Sequence, residues 1–199
     1  MTINLLTQVR RYTVPALLCL SINATGSEAI PTALSDLKHL TNSELTALYD
    51  EGSAYIVPSA ATPEVAITYN GVALPTPGFS PTSPLLGFFW GGKTFTTDNT
   101  GQTTLTNVVL PETPVEMDEV TAKVSIAYEN LLKDGRPVVL LDYSETNIAL
   151  AKGIRDEMRL IGPDLYLGRA YQENDPITKL LTRKSHSFLL WFALKKEQL

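Results

Sequence analysis

Cysteine and histidine are scarce in this chain. Cys19 is the single cysteine, and the two histidines are His39 and His186. One cysteine cannot form an intrachain disulfide, which fits a reducing compartment. Neither histidine sits three or four residues from another ligand-type residue in a way that suggests a metal site. We therefore expect no metal site and no bound cofactor.

The chain also lacks an excess of basic charge and long apolar runs. Its formal net charge is −5 over 199 residues, whereas nucleic-acid binding needs a concentrated basic surface. No apolar run approaches the roughly 20 residues that a bilayer-spanning helix needs. The sequence predicts no nucleic-acid partner and no stable membrane insertion. The hydrophobic content of 44% and the charged content of 19% are typical of a soluble globular protein.

Catalytic signatures are missing too. The sequence contains no phosphate-binding loop, no nucleophile elbow, no HExxH, no CxxC and no dinucleotide fingerprint. The sequence therefore leaves open whether this protein is an enzyme.

Residues 1–33 form an ambiguous N-terminal segment. Arg10 and Arg11 precede an apolar stretch and then small polar residues, an order that resembles a secretory signal. Pro15 and the lack of a clear cleavage site count against cleavage. We expect a flexible or docked arm and a cytoplasmic protein. A secreted or periplasmic location follows only if residues 1–29 are a signal.

The remaining residues, 34–199, suit a single domain. Residues 34–51 are predicted to be helical, because Thr41 and Glu44 form a capping box and Gly52 can end the helix. We expect this helical segment to cover one end of the domain. A proline-rich loop follows at 53–84, and within it a strand from Val65 is expected to end in a hairpin at Asn70-Gly71.

Beyond residue 84 the pattern indicates β-strands almost throughout. Turn signals separate the candidates, which are Leu86–Thr96, Thr103–Leu110, Val120–Tyr128, Pro137–Tyr143, Ile154–Ile161, Leu165–Tyr171 and Ser187–Lys195. Residues 144–152 could be a short helix or continue a strand. Seven or eight strands without long intervening helices predict a mainly β fold, an antiparallel sandwich or closed barrel.

The most informative segment is the predicted hairpin over residues 154–171, whose first strand contains four charges in five residues. Side chains alternate between the faces of a strand, so Arg155, Glu157 and Arg159 share one face, the outside of the sheet, where solvated charges are ordinary. Asp156 then lies on the other face among Ile154, Met158 and Leu160. An inward carboxylate must be paired or protonated. In one alternative Arg155, Arg159 or Arg169 forms a structural ion pair with Asp156 or with Glu157. In the other, Asp156 is a polar anchor or acid/base in an apolar pocket.

Further candidates surround this strand. Three aromatics and two glycines, Phe88 to Gly92, predict a strand that bends or admits another backbone closely. Trp90 could form a cavity floor with Lys93 near its mouth, or Lys93 could extend to water from a plain core. The strand register decides whether Asp142 is exposed or faces the interior beside Asp156. Three tyrosines could line the same cavity: Tyr143, Tyr166 and Tyr171.

Several of these strings occur together in a known pattern. Gly92-Lys93-x-Phe95, Leu141-Asp-Tyr-Ser144, Ile154-Arg-Asp-Glu-Met-Arg159 and Gly162-Pro-x-Leu165-Tyr-Leu-Gly168 resemble uncharacterised bacterial proteins of lipocalin-like, or calycin-like, type. The resemblance covers about residues 86–195. It implies an antiparallel β-barrel and no particular activity. Asp164 stands where that pattern usually has glycine, and aspartate tolerates a left-handed turn.

Our leading hypothesis is that a small, largely apolar molecule binds inside the barrel. A closely packed interior would contradict it. The alternatives are a cofactor-independent cyclase or isomerase using Asp156 as acid/base, and an interaction module without a ligand. The last would be marked by an exposed apolar patch.

Overall fold

The computed structural model describes residues 31–56, 66–74, 76, 90–109, 120–148 and 151–197. The expectations for the N-terminal arm, for residues 86–89 and for most of the proline-rich loop lie outside these residues. None of the helices within the described ranges is long and apolar enough to cross a membrane.

Eight antiparallel strands close into a barrel in which each strand pairs with its neighbours in sequence and β1 pairs with β8. The predicted mainly β fold and closed barrel are therefore confirmed. Closure leaves no unpaired sheet edge. The strands are β1 Ala66–Leu74, β2 Trp90–Thr97, β3 Thr103–Val109, β4 Thr121–Ala127, β5 Val138–Asp142, β6 Ile154–Gly162, β7 Leu165–Glu173 and β8 His186–Lys196.

Two local expectations, the hairpin at Asn70-Gly71 and the regular structure of residues 144–152, are wrong. β1 continues through Asn70-Gly71 to Leu74 instead of turning there. A Cβ on Gly71 would lie 2.6 Å from the Trp90 ring, so this glycine serves a close contact and not a turn. The described part of residues 144–152 forms turns, neither a helix nor a strand.

The helical segment is divided into α1 Leu34–Leu37 and α2 Asn42–Glu51. The predicted capping box is present, because Glu44 N–H donates to Thr41 Oγ1 and Thr41 N–H donates to a Glu44 carboxylate oxygen. The break between the helices follows from this cap, since an N-cap residue is not helical.

The position predicted for these helices is wrong. They pack against the outside of the barrel wall over β6, β7, β8 and β1, and do not cover its end. An apolar layer joins them to the wall, in which Leu37, Leu45 and Tyr49 meet Leu167 and Trp191.

The chain leaving α2 closes one end of the barrel, here called the plugged end. Ser53 exchanges two backbone hydrogen bonds with Leu160, at 2.8 and 3.0 Å. Ala54 and Ile56 then pack against the interior side chains, and the Tyr166 hydroxyl donates to the carbonyl of Tyr55 at 2.7 Å. The β6–β7 turn lies at this end, and Asp164 has the left-handed conformation expected for it, with φ of 53°.

The opposite end, here called the entry end, is where β5 and β7 finish and β6 and β8 begin. A third helix, α3 Pro176–Thr182, lies there between β7 and β8. It was not predicted, although Asp175 followed by Pro176 is a helix-start signal. The Asp175 carboxylate accepts hydrogen bonds from the backbone N–H groups of Ile177 and Thr178.

Candidate functional site

The inner face of the barrel is apolar and largely aromatic. Its buried side chains include Tyr69, Phe95, Leu105, Val139, Leu141, Met158, Tyr166, Leu190 and Phe192. The predicted alternation in β6 is confirmed, since Met158 and Leu160 belong to this layer and Asp156 points the same way. The interior is therefore an apolar environment in which any polar group needs a partner.

Four polar side chains form a cluster inside the entry-end half of the barrel, here called the Lys93 cluster: Lys93, Asn107, Tyr143 and Asp156. Lys93 Nζ lies 3.2 Å from Asp156 Oδ2, and the Tyr143 hydroxyl donates to the same oxygen at 2.9 Å. Lys93 also donates to the Tyr143 hydroxyl and, at 3.1 Å, to Asn107 Oδ1. The four groups form one connected hydrogen-bond network.

Aromatic rings enclose the ammonium group of Lys93. Its Nζ lies 5.2 Å from the centroids of Trp90 and Tyr143 and 5.5 Å from that of Phe192. Cations are attracted to the faces of such rings, most strongly where water is excluded. Gly168 makes room for Phe192, because a Cβ there would lie 2.1 Å from the ring. The three rings, with Phe192 admitted by Gly168, therefore pack closely around Lys93.

Burial sets the protonation behaviour of the cluster. Lys93 is 3% exposed, Tyr143 2% and Asp156 5%. Desolvation lowers the pKa of Lys93, and the neighbouring Asp156 carboxylate opposes this shift. Desolvation together with the Asp156 charge raises the pKa of Tyr143 well above its usual value, so the phenol keeps its proton. The cluster thus contains a carboxylate, a phenol that donates to it, and an amine that loses its proton more readily than a surface lysine.

One atom of the cluster has no hydrogen-bond partner among the described residues. Asp156 Oδ1 is buried and accepts no hydrogen bond from any of the described residues. A buried unpaired acceptor costs about 1–3 kcal/mol, and more for a charged group. This oxygen is therefore suited to accept a hydrogen bond from a bound molecule or a water.

One pocket lies in the plugged-end half of the interior. It is lined by Ile56, Ile67, Tyr69, Phe95, Thr97, Met158 and Tyr166, and its volume of about 10 Å³ is close to the minimum for one water molecule. This pocket does not border Asp156, and a ligand larger than water does not fit it unless side chains move.

The predicted arginine partner of Asp156 is wrong, and so is the alternative in which Lys93 extends into water. Asp156 pairs with Lys93 on β2, and not with Arg155, Arg159 or Arg169. Lys93 is buried, and its position near the mouth of a cavity stays a prediction. Strand alternation determines that Asp156 faces inward. The strand that lies opposite Asp156 across the interior, and so supplies its partner, follows only from closure of the barrel.

The arginines lie on the outer face. Arg155 pairs with Glu157 at 2.9 Å, as one of the predicted alternatives had it. Glu157 is fully buried beneath the β4–β5 loop, where it also accepts from the backbone N–H of Leu131, and burial raises its pKa. Arg159 is fully buried as well: it donates to Asp134 at 2.8 Å and to the carbonyls of Tyr49 and Pro137.

The remaining predicted residues are divided between the two faces. Tyr143 and Tyr166 are interior, and Trp90 is half-buried beside Phe192, with their ring centroids 5.9 Å apart. Asp142 is exposed and accepts a hydrogen bond from the backbone N–H of Ser144. Of its two predicted positions, exposed or facing the interior, the exposed one is therefore correct. Tyr171 faces outward against Phe188, and burial raises its pKa to about 12.

Sequence reasoning missed Asn107 and Phe192. Asn107 shares the inward face of β3 with Leu105, so a polar residue in an apolar register was the available signal. Phe192 lies in a continuous apolar run, in which nothing distinguishes a ring beside a lysine from ordinary core. No group of three or more metal-ligand side chains occurs within the described ranges.

A patch of exposed apolar side chains lies on α3 at the entry end. Ile177, Leu180 and Leu181 are between 70% and 79% exposed. Such a patch is the signature stated for an interaction module. It occurs here together with a buried polar cluster, so the patch alone does not decide between the functional classes.

Comparisons with known proteins leave the family open. No protein-family model matches the chain, and no curated protein matches it. A crystal structure of a protein from Thermomonospora curvata is similar at 15% identity and a TM-score of 0.47, covering 82% of this chain and 93% of that one. At that score the similarity supports no conclusion about this chain. The barrel is established by this chain's own strand pairing, and the lipocalin-like resemblance stays a prediction.

Proposed function

We propose that this protein binds a small, largely apolar molecule with one hydrogen-bond donor, such as a hydroxyl group, in the entry-end half of the barrel. The observation that carries this proposal is that Asp156 Oδ1, inside an apolar interior, has no hydrogen-bond partner among the described residues. Ligand sites in proteins combine apolar walls with a few polar groups that fix orientation. The donor would hydrogen-bond to Oδ1, while the apolar part contacts Trp90 and Phe192.

The two interior halves differ in a way that supports this placement. The plugged end is filled by Ala54, Ile56 and the aromatic rings, with room for about one water. The Lys93 cluster lies in the other half. A ligand that enters there would supply a donor to Asp156 Oδ1, which has no partner among the described residues.

The test compares two probes, 1-decanol and decyl methyl ether, in which a methyl group replaces the hydroxyl hydrogen and so removes the donor. We expect the alcohol to bind about 10- to 100-fold more tightly in isothermal titration calorimetry, because a hydrogen bond to a charged acceptor contributes about 1.5–3 kcal/mol. The double variant Lys93→Met/Asp156→Val, which keeps the interior apolar and removes the charges, should lose this preference while still binding the ether.

Two results would contradict the proposal. Equal affinity of wild-type protein for both probes would mean that Asp156 does not anchor the ligand. No binding of either probe would mean that the interior is a packed core. Native mass spectrometry of protein purified from its own host is the complementary measurement, since it would show a co-purifying small molecule directly.

We propose an isomerase or cyclase as the second candidate, because Tyr143 lies between an amine and a carboxylate. A phenol in this position can pass a proton to a substrate and recover one from its neighbours. If the cluster catalyses isomerisation, a co-purifying ligand kept on the protein in D₂O should gain deuterium at carbon, and Tyr143→Phe should slow this exchange about 100-fold or more. If the ligand on wild-type protein shows no exchange, the isomerase candidate is contradicted and only the binding function is supported.

A further inference from the structure

We propose that Lys93 forms a reversible imine with an apolar aldehyde or ketone that enters the barrel. This inference rests on the proposed interior binding site and extends it to carbonyl compounds, which need no hydrogen-bond donor because they bond to Lys93 itself. It stands on three features of the Lys93 cluster: an enclosed amine, a phenol within hydrogen-bond reach, and a carboxylate that can balance a cationic product.

The enclosure makes Lys93 unlike the other lysines that the structure describes, of which none is buried. Its Nζ lies among the rings of Trp90, Tyr143 and Phe192, which exclude water. Imines hydrolyse in water, so an apolar enclosure favours the condensed product. Desolvation, which lowers the pKa of Lys93, also favours the neutral amine that attacks a carbonyl.

The neighbours supply the proton transfers. Asp156 Oδ2 lies 3.2 Å from Nζ and accepts its proton, which frees the nitrogen lone pair. The C–N bond forms as the carbonyl oxygen takes a proton from the Tyr143 hydroxyl, which recovers one from the nitrogen. The proton held by Asp156 then passes to that oxygen, which leaves as water as the C=N bond forms. In balance, the ammonium and the carbonyl compound give a protonated imine and one water, with no oxidant or reductant.

Asp156 has a second role after condensation. The protonated imine keeps the positive charge that the ammonium carried, so the buried carboxylate stays paired throughout. Asp156 Oδ1, unpaired among the described residues, can hold the departing water. The cluster is therefore compatible with both sides of the equilibrium.

The test treats folded wild-type protein with decanal and sodium cyanoborohydride, which reduces an imine to a stable secondary amine. Peptide mapping by mass spectrometry then gives the modification rate at each lysine. Lys123 is the matched internal control, since it pairs with a carboxylate, Glu145, at 2.5 Å but its side chain is 50% exposed. We expect Lys93 to be modified at least about tenfold faster than Lys123, because desolvation favours its neutral amine and the enclosing rings protect the imine from hydrolysis.

Each possible result either supports the imine proposal or contradicts it. Modification that follows exposure, with Lys123 ahead of Lys93, would overturn the imine proposal. If Lys93 stays unmodified while 1-decanol still binds, the imine is wrong and the binding function stands. If neither compound binds, the binding function fails as well. Tyr143→Phe should slow modification of Lys93 without changing that of Lys123, a split that a purely structural role would not produce.

Discussion

Asp156→Asn is expected to lower the free energy of unfolding by about 3 kcal/mol, as measured by urea denaturation. The substitution keeps the shape of the side chain but removes the charge that pairs with Lys93 Nζ at 3.2 Å. Lys93 is 3% exposed, so its ammonium would be left buried without a counter-charge or would have to lose its proton. Either consequence costs free energy in the folded state only.

The matched control is Glu145→Gln, which breaks a lysine–carboxylate pair of the same kind on the surface. The side chains of Lys123 and Glu145 are 50% and 67% exposed, so we expect a loss below about 1 kcal/mol. The double variant Lys93→Met/Asp156→Val should recover to within about 1 kcal/mol of wild type, since replacing both buried charges removes both desolvation penalties.

A loss for Asp156→Asn as small as that for Glu145→Gln would contradict this account. It would mean that water reaches Lys93 in solution. A double variant as unstable as the single one would show instead that the pair itself, through its hydrogen bonds to Tyr143 and Asn107, holds the strands together.

Gly92→Ala is expected to lower the free energy of unfolding by about 4 kcal/mol. A Cβ at this position would lie 2.0 Å from the carbonyl oxygen of Tyr69 on the paired strand, and Gly92 has φ of 147°. The substitution therefore forces β1 and β2 apart next to Lys93. Thermal and urea unfolding of the variant measure the loss.

Gly101→Ala separates the two costs. Gly101 also has a positive φ, 84°, but nothing lies within 4 Å of a Cβ there. We expect a loss of about 1 kcal/mol from the backbone conformation alone. Equal losses at Gly92 and Gly101 would show that β1 and β2 can move apart at no cost. The close approach of Gly92 to the Tyr69 carbonyl would then not constrain the fold.

Several local features could be predicted because their causes are local. The capping box at Thr41 and Glu44 depends on residues three apart, and the inward orientation of Asp156 on strand alternation. The close approach predicted at the glycines after Trp90 is confirmed at Gly92, where β2 is irregular. Each of these follows from spacing along one segment.

The failures share a different cause. Gly71 follows asparagine and so indicated a turn, but its role is to accept the ring of Trp90 from another strand. Glu157 and Arg159 were expected on an ordinary solvated face, and the helices with the β4–β5 loop bury them. In both cases a segment distant in sequence covers the residue, and local periodicity contains no information about it.

Local residue patterns were enough to predict that this protein is mainly β, that strands β2 to β8 lie near their expected bounds, and that Asp156 faces the interior. Those properties arise from turn residues and from the two-residue period of a strand. The pairing of Asp156 with Lys93, and the positions of Tyr143 and Asn107 beside them, follow only from the folded barrel. The physical reason is closure. Lys93, Asn107 and Asp156 come from β2, β3 and β6, and Tyr143 directly follows β5, so only a closed barrel brings them together across its interior.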